Sequence, residues 1–316
     1  MSNFAITGVS GYVGKLLLKG LEQYPDCKKI VGIDIKEPDF TSPKLKFYKL
    51  DIRDKNIDRI FELEMIDTLI HLAFIFHPTH KTKEMHDINV NGASNVLRGA
   101  RKSGVKRIVL FSSTTAYGAH KDNPEFLIEE SPLRGNRDFY YTHHKVEIEK
   151  LCDTFRKDNR NIIFINIRPC IIFGPNVNNH ISRYIGRPFV PFISGSNPDF
   201  QFVHEKDIVE ACLIALSKNI SGSFNIVGSG TIPIKDIPAV IGRKLLELPF
   251  PIFYPMHELM WLLRMPLIET PASMLNLIRY RWIASGKRAH EVLGFVPKYS
   301  TKDALLDFYK AKVNKQ

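Results

Sequence analysis

Over the first two thirds of the chain, short apolar runs alternate with amphipathic stretches. Residues 4–6 form an apolar run that ends at Thr7-Gly8, and residues 12–21 place apolar side chains at helical spacing. Further strands are expected at 30–33, 45–50, 68–73, 108–112 and 162–167. Helices are expected at 57–63, 88–100 and 141–155, the second of them ended by Ser103-Gly104. Strand and helix in alternation predict an α/β protein built on a doubly wound parallel sheet.

Past residue 170 the rhythm breaks. Gly and Pro recur at Gly174-Pro175, Gly186, Pro188, Gly195 and Pro198. A helix pattern returns at 207–216, a strand at 223–227 and a helix around 237–246. Pro249, Pro251 and Pro255 make 248–255 read as a punctuated connector into an apolar helix at 257–263. The expected organisation is a large domain over 1–174 and a smaller lobe over 175–316, with elements around 202–228 returning to the first. No repeat or low-complexity segment interrupts it.

The segment Thr7-Gly8-Val9-Ser10-Gly11-Tyr12-Val13-Gly14 joins the first strand to the first helix. It has the mechanics of a dinucleotide loop. Gly8 permits a tight turn, Gly11 lets backbone amides approach a pyrophosphate at the helix N-terminus, and Gly14 permits close helix–strand packing. An ordinary Gly-rich turn shares this spacing, so its surroundings carry the weight. Asp34 ends the second strand, 20 residues past Gly14, where an acid accepts hydrogen bonds from the adenosine ribose hydroxyls. Its charge repels a 2′-phosphate and favours NAD over NADP, while the nearby Lys36 pulls the other way. Asp51-Ile52 follows the third strand, as an adenine contact or as an ordinary loop acid and its neighbour.

Composition narrows the class. With 316 residues, 44% hydrophobic and 24% charged, the chain is globular and wholesale disorder is excluded. Lys and Arg number 44 against 33 Asp and Glu, a formal net charge of +11. That balance points to an anionic partner: nucleic acid, an acidic membrane surface or a phosphorylated small molecule. Nothing resembles a nucleic-acid module. Cys27, Cys152, Cys170 and Cys212 are widely spread without metal-site spacing, so reduced thiols and no metal are expected. A strand pattern begins at once with no basic leader, and no apolar run approaches the roughly 18 residues of a membrane span. A cytoplasmic location is the expectation.

Several motifs follow the loop in order. Asn89-Val90-Asn91-Gly92 is followed by Asn95-Val96-Leu97, and Ser112-Ser113 precedes Tyr117-Gly118. Tyr141 and Lys145 stand in YTHHK, then come Arg168-Pro169 with Phe173-Gly174-Pro175, and Phe202-Val203-His204-Glu205-Lys206-Asp207. Taken together, from residue 7 to about 228, the chain resembles the extended branch of the short-chain dehydrogenase/reductase superfamily, the NAD-dependent epimerases and dehydratases. The resemblance implies a dinucleotide-binding Rossmann domain over 1–174 and a substrate-binding lobe over 175–316. It implies cofactor contacts at Gly8, Ser10, Gly11, Tyr12, Val13, Gly14, Asp34, Asp51, Ile52, Leu72, Ala73, Tyr141, Lys145 and Pro169. It also implies catalysis by Ser113, Tyr141 and Lys145, and a homodimer through the helix that carries the Tyr–Lys pair.

The chemistry of that pair can be stated from the residues. Tyr141 and Lys145 lie one helical turn apart on one face, whereas Tyr140 is five residues from Lys145 and turns away. A free tyrosine, with a pKa of about 10, is a poor base at neutral pH. A neighbouring ammonium favours the phenolate. By resemblance Ser113, rather than Thr114, polarises the substrate hydroxyl or carbonyl, and hydride passes between that carbon and the nicotinamide.

Departures from the family pattern bear on the substrate. The 4,6-dehydratases of the branch carry an acidic pair after the catalytic Ser or Thr, where this chain has Thr114-Thr115, so elimination is not expected. Sugar-nucleotide epimerases commonly place an arginine before the FVHVDD-like motif, where this chain has Pro198-Asp199-Phe200-Gln201. The apolar stretch 250–263 suits a lobe core, a dimer helix or a cleft for a less polar substrate. His77, His80 and His86 read as a solvated loop near the substrate, His143 or His144 as a possible site wall, and Cys170 as packing. His204 and Asp207 read as a junction between lobes. From Met274 onward the chain carries a charge of about +6, either a solvated face or a contact for a phosphate or acidic headgroups.

Three readings stand. The first is an NAD-dependent sugar-nucleotide epimerase-like enzyme working by hydride transfer at a secondary alcohol. The second is an NAD(P)-dependent dehydrogenase/reductase of a less polar alcohol or ketone. The third is a non-enzymatic dinucleotide-sensing protein.

Overall fold

The computed structural model describes residues 1–314. The chain runs β1 (Ser2–Thr7), α1 (Tyr12–Glu22), β2 (Cys27–Asp34), β3 (Leu45–Lys49), α2 (Ile57–Leu63), β4 (Thr68–His71), α3 (Thr82–His86), α4 (Gly92–Lys102), β5 (Arg107–Phe111), α5 (Tyr140–Asp158) and β6 (Ile163–Pro169). The second part adds β7 (Ile171–Phe173), α6 (His180–Ile185), β8 (Phe189–Ile193), β9 (Asp199–Phe200), β10 (Phe202–His204), α7 (Glu205–Ser217) and β11 (Gly222–Ile226). It ends with β12 (Ile232–Pro233), α8 (Ile237–Val240), β13 (Lys244–Leu248), α9 (Phe250–Leu262), α10 (Leu275–Arg279) and α11 (Thr301–Val313).

Seven strands form one sheet in the order β11-β6-β5-β4-β1-β2-β3, every pair parallel. A parallel sheet is covered on both faces, which is why its strands are continuous apolar runs rather than alternating ones. In β1, Phe4 and Ile6 enter one core and Ala5 the other. The first core packs Leu17, Leu18 and Leu21 of α1 with Ile208, Ala211 and Cys212 of α7. The second packs Ile57 and Phe61 of α2, Val96 and Leu97 of α4, and Ile148 and Cys152 of α5. Strand order reverses between β1 and β4, so a crevice opens at their C-terminal ends, where such sheets bind ligands. This is the expected doubly wound fold, and α7 and β11 return to it from the second part of the chain.

The smaller lobe departs from expectation in three places. The helix around 237–246 stops at Val240; Gly242 turns the chain at φ +61°, and β13 pairs in parallel with β8. The apolar helix begins at Phe250, not 257. Pro251 occupies the first turn, where no backbone N–H is needed, and Pro255 is absorbed within the helix. The C-terminal helix α11 was not foreseen. Its start is a capping box in which Ser300 Oγ accepts from the Asp303 amide at 3.1 Å and the Asp303 carboxylate accepts from the Ser300 amide at 2.9 Å.

Candidate active site

The crevice at the end of β1 is built by close backbone approach. Gly8 has φ +76°, and a Cβ there would lie 2.7 Å from the Ala73 nitrogen and 3.0 Å from the Leu72 carbonyl carbon. Gly8, Leu72 and Ala73 are therefore one wall. A Cβ on Gly14 would fall 2.3 Å from the Gly8 oxygen and 2.6 Å from the Val9 oxygen, so the helix can close on the loop only with glycine there. Gly11 is the N-cap of α1, and no side chain caps that end and no acid lies in the first turn. The first amides of the helix, Tyr12 to Gly14, thus keep their affinity for an anion. These features fit a dinucleotide.

At the end of β2, Asp34 accepts from the Ser10 amide and the Lys36 amide, both at 3.1 Å, while Ser10 Oγ donates to the Lys36 carbonyl at 2.7 Å. The carboxylate is held against the Gly loop, with the Lys36 backbone rather than its charge as partner. Asp51 is chelated by Arg53, which also bridges to Asp87 at 2.8 Å. That guanidinium holds the Asp51 carboxyl below its usual range. Ile52 is buried against Gly92. The Asn95 amide donates to the Ile52 and Asp54 carbonyls, each at 2.8 Å, fixing the loop.

The second group of residues converges from β5, β6 and α5. Ser113 follows β5 and caps the short 3-10 turn Thr114–Tyr117, its Oγ accepting from the Thr115 amide at 3.2 Å and the Thr115 hydroxyl at 2.9 Å. Thr114 donates to the Pro169 carbonyl at 3.4 Å, which places Pro169 beneath the same turn. Tyr141 and Lys145 lie one turn apart on α5. The Tyr141 ring is clasped edge-to-face by Phe74 and Phe76, centroids 5.3 and 5.1 Å away. Burial pushes the phenol up, and hydrogen bonding by the Ser113 and Thr115 hydroxyls opposes it. Lys145 Nζ donates to the Phe111 carbonyl at 2.9 Å and sits 4.1 Å from the Phe74 ring centre. Its amine is pushed down to about 8 by burial, against the pull of Glu149. Burial, not the ammonium, dominates the phenol in the protein alone. Tyr140 turns away and donates to the Phe76 carbonyl at 2.7 Å.

Residues that sequence reasoning missed hold this group in place. Glu149, one turn beyond Lys145, makes a two-pronged ion pair with Arg168 at 2.8 and 2.9 Å, and both side chains are almost fully buried. Arg168 also donates to Tyr117 Oη at 2.9 Å, and Tyr117 donates to Asn225 Oδ1 at 2.8 Å. The network ties α5 to β6, to the 3-10 turn and to β11. The spacing Lys145–Glu149 was a signal for it: an acid on the apolar face of a helix needs a partner inside. His71 is a second omission. It shares a 2.6 Å hydrogen bond with Thr7, and burial lowers its imidazole to about 3.

The histidines divide differently from expectation. His80 is exposed at its rim yet stacks on Trp261 of α9, centroids 4.1 Å apart. His86 and His143 share Glu147 at 2.6 and 2.7 Å. His144 is buried toward Asn89 and Tyr140, so these two helix histidines face α3 and α4. His180 packs at a tilt against Phe76, ring centroids 4.5 Å apart. Cys170 is buried and packed as expected. His204 stacks on Tyr299 at 3.9 Å, and Asp207 accepts from the Lys298 and Tyr299 amides at 3.1 Å, anchoring the C-terminal segment. Glu205, buried in the same motif, accepts from Tyr12 of the Gly loop and from Asn176. Of the basic C-terminal residues, Arg281 pairs with Asp199 at 3.0 Å and Arg279 lies over Phe250.

Similarity to known proteins follows this geometry. An uncharacterized protein of Mycobacterium tuberculosis (strain ATCC 25618 / H37Rv) is 24% identical over 319 residues, spanning 97% of this chain and 83% of the relative. The N-acetyl-alpha-D-glucosaminyl-diphospho-ditrans,octacis-undecaprenol 4-epimerase of Escherichia coli O157:H7 is 27% identical over 271 residues, 79% of this chain and 76% of the relative. The solved structure of MoeE5 in complex with UDP-glucuronic acid and NAD superposes with a TM-score of 0.78 at 19% identity, covering 99% of this chain and all of the other. The NAD dependent epimerase/dehydratase family matches residues 4–227, a span that holds both the Gly loop and the Ser113, Tyr141 and Lys145 group. The chain belongs to that NAD-dependent enzyme family.

Proposed function

We propose that this protein is an NAD-dependent epimerase acting on a sugar joined to a diphosphate. The observation that carries the reading is that Tyr141 and Lys145 share one face of α5, with Lys145 Nζ held on the Phe111 carbonyl at the end of β5, where Ser113 follows with its Oγ engaged by the Thr115 hydroxyl. NAD, when bound, supplies a hydride acceptor that becomes the donor in the return step. Tyr141 Oη takes the proton from the sugar hydroxyl and later returns it. Ser113 Oγ, oriented by Thr115, holds the substrate oxygen. Lys145 Nζ, already desolvated, favours the phenolate once the site is filled. The half-buried Phe74 and Phe76 flanking Tyr141 limit the access of water to the proton transfer.

Epimerisation is favoured over elimination by the residues after Ser113. Thr114 and Thr115 are buried and engaged with Pro169 and Ser113, where water loss would need a carboxylate. The sugar-diphosphate class is supported by two relatives of different kinds. One is named for a diphospho-undecaprenol sugar, and the other was crystallised with UDP-glucuronic acid. A sugar bonded to diphosphate is common to both. Arg281 is the half-exposed guanidinium beside the segment where a phosphate-holding arginine was expected.

The test supplies UDP-N-acetylglucosamine and its undecaprenyl diphosphate counterpart to the purified protein with NAD. Inversion at a sugar carbon, with no net NADH and at least a hundredfold loss of rate in Tyr141→Phe, is the expected result. NADH accumulating in step with product would replace the reading with a dehydrogenase.

A further inference from the structure

Helix α9 is apolar on the side that faces solvent. Phe253 and His257, four residues apart, are both 3% exposed and fasten the helix to its lobe, with His257 Nε2 donating to the Thr270 carbonyl oxygen at 2.9 Å. The opposite row is Ile252, Met256, Leu259 and Leu263, at spacings of four, three and four. Ile252 is 61% exposed, Leu259 58% and Leu263 66%, and Leu267, past the turn that ends the helix, is 65% exposed. An ordinary surface helix carries polar residues there. The one acid of the helix, Glu258, is turned inward and accepts from the Ala272 amide at 2.8 Å.

The rim of this ridge is basic. Arg264 is exposed at its end. Arg187 reaches the Leu267 carbonyl. Lys83 is exposed just past His80, which stacks on Trp261 of the same helix, while Lys81 beside it pairs with Glu84 at 3.3 Å. A 13-residue helix is about 20 Å long and too short to span a bilayer, which takes about 20 residues. An apolar row with a cationic margin is the makeup of a helix that lies in a membrane interface. A second copy of this chain fits poorly, because each copy brings the same cationic margin and a net charge of +11.

We propose that the α9 ridge docks the protein on the surface of anionic phospholipid bilayers, with the helix axis in the membrane plane. Apolar side chains enter the headgroup boundary, and Arg264 and Lys83 meet the acidic headgroups. The ridge and the candidate cleft are neighbours, since the loop that carries His80 also carries Phe76 against Tyr141.

Flotation with vesicles tests this without any turnover, so its outcome is independent of the proposed reaction. Vesicles of phosphatidylcholine alone are compared with vesicles containing 30% phosphatidylglycerol, a proportion of roughly the acidity such patches read. The protein is expected to float with the acidic vesicles and not with the neutral ones, and raised salt should release it. Leu259→Asp should lower the bound fraction at least tenfold, and Lys83→Glu with Arg264→Glu should do the same. Leu63→Asp, an equally exposed leucine on α2, should float like the parent. All variants are checked for unchanged melting and NAD binding. Three results would overturn the proposal: no flotation on acidic vesicles at low salt, flotation unaffected by Leu259→Asp, or a dimer that Leu259→Asp dissociates in a protein that ignores vesicles.

Discussion

Replacing Lys145 by Met should raise the stability of the nucleotide-free protein while abolishing turnover. Burial lowers the Lys145 amine from an ordinary 10.5 to about 8, a displacement equivalent to about 3 kcal/mol held against the charged form. Methionine has similar length, fills the same space beside Phe74 and carries no charge. The substitution also strips the Phe111 carbonyl of its 2.9 Å donor, a loss of about 1–2 kcal/mol. The net gain is about 1–2 kcal/mol, or a few °C in melting temperature for a chain of this size. The sign depends on pH. Because the folded pKa lies below the unfolded one, the native state binds fewer protons between about 8 and 10.5, and wild-type stability rises through that window. The variant's advantage should therefore be full at pH 7 and shrink toward pH 10. Thermal unfolding of stripped wild type and Lys145→Met across pH 7–10 checks it. A variant that melts lower at pH 7, or an advantage that does not change with pH, would refute the reasoning.

Two further outcomes follow from the same geometry. Gly14→Ala places a Cβ 2.3 Å from the Gly8 oxygen, so the loop must shift; NAD affinity measured by calorimetry should fall at least tenfold even where the fold survives. Arg168→Met leaves Glu149 buried without its partner and should cost about 3–5 kcal/mol in denaturant unfolding, with much of that restored by the double change Arg168→Met with Glu149→Leu.

The parallel sheet was legible because its strands are buried on both faces. A strand such as β5 is apolar wherever it is buried, from Ile108 to Phe111, and the Gly loop must be where the first of them ends. The Tyr141–Lys145 pair was legible for the same local reason, since one helical turn is a fixed offset in sequence. What holds the pair was not: Tyr117 reaches Asn225 across 108 residues, and only the folded sheet makes them neighbours. The smaller lobe failed where a local rule had two solutions. Prolines at 249, 251 and 255 suit a connector, yet Pro251 also suits a helical first turn, and packing of Phe253 selected the helix. Periodicity has the same limit at α9. It reports that a helix face is apolar but not what covers it. Apolar residues at 250–263 were expected in a lobe core, a dimer contact or a cleft. The fold buries Phe253 and His257 and leaves Ile252, Leu259 and Leu263 bare beside Arg264. Bare apolar side chains and the exposed Arg264 thereby meet on one surface, and that meeting is what an acidic membrane would recognise.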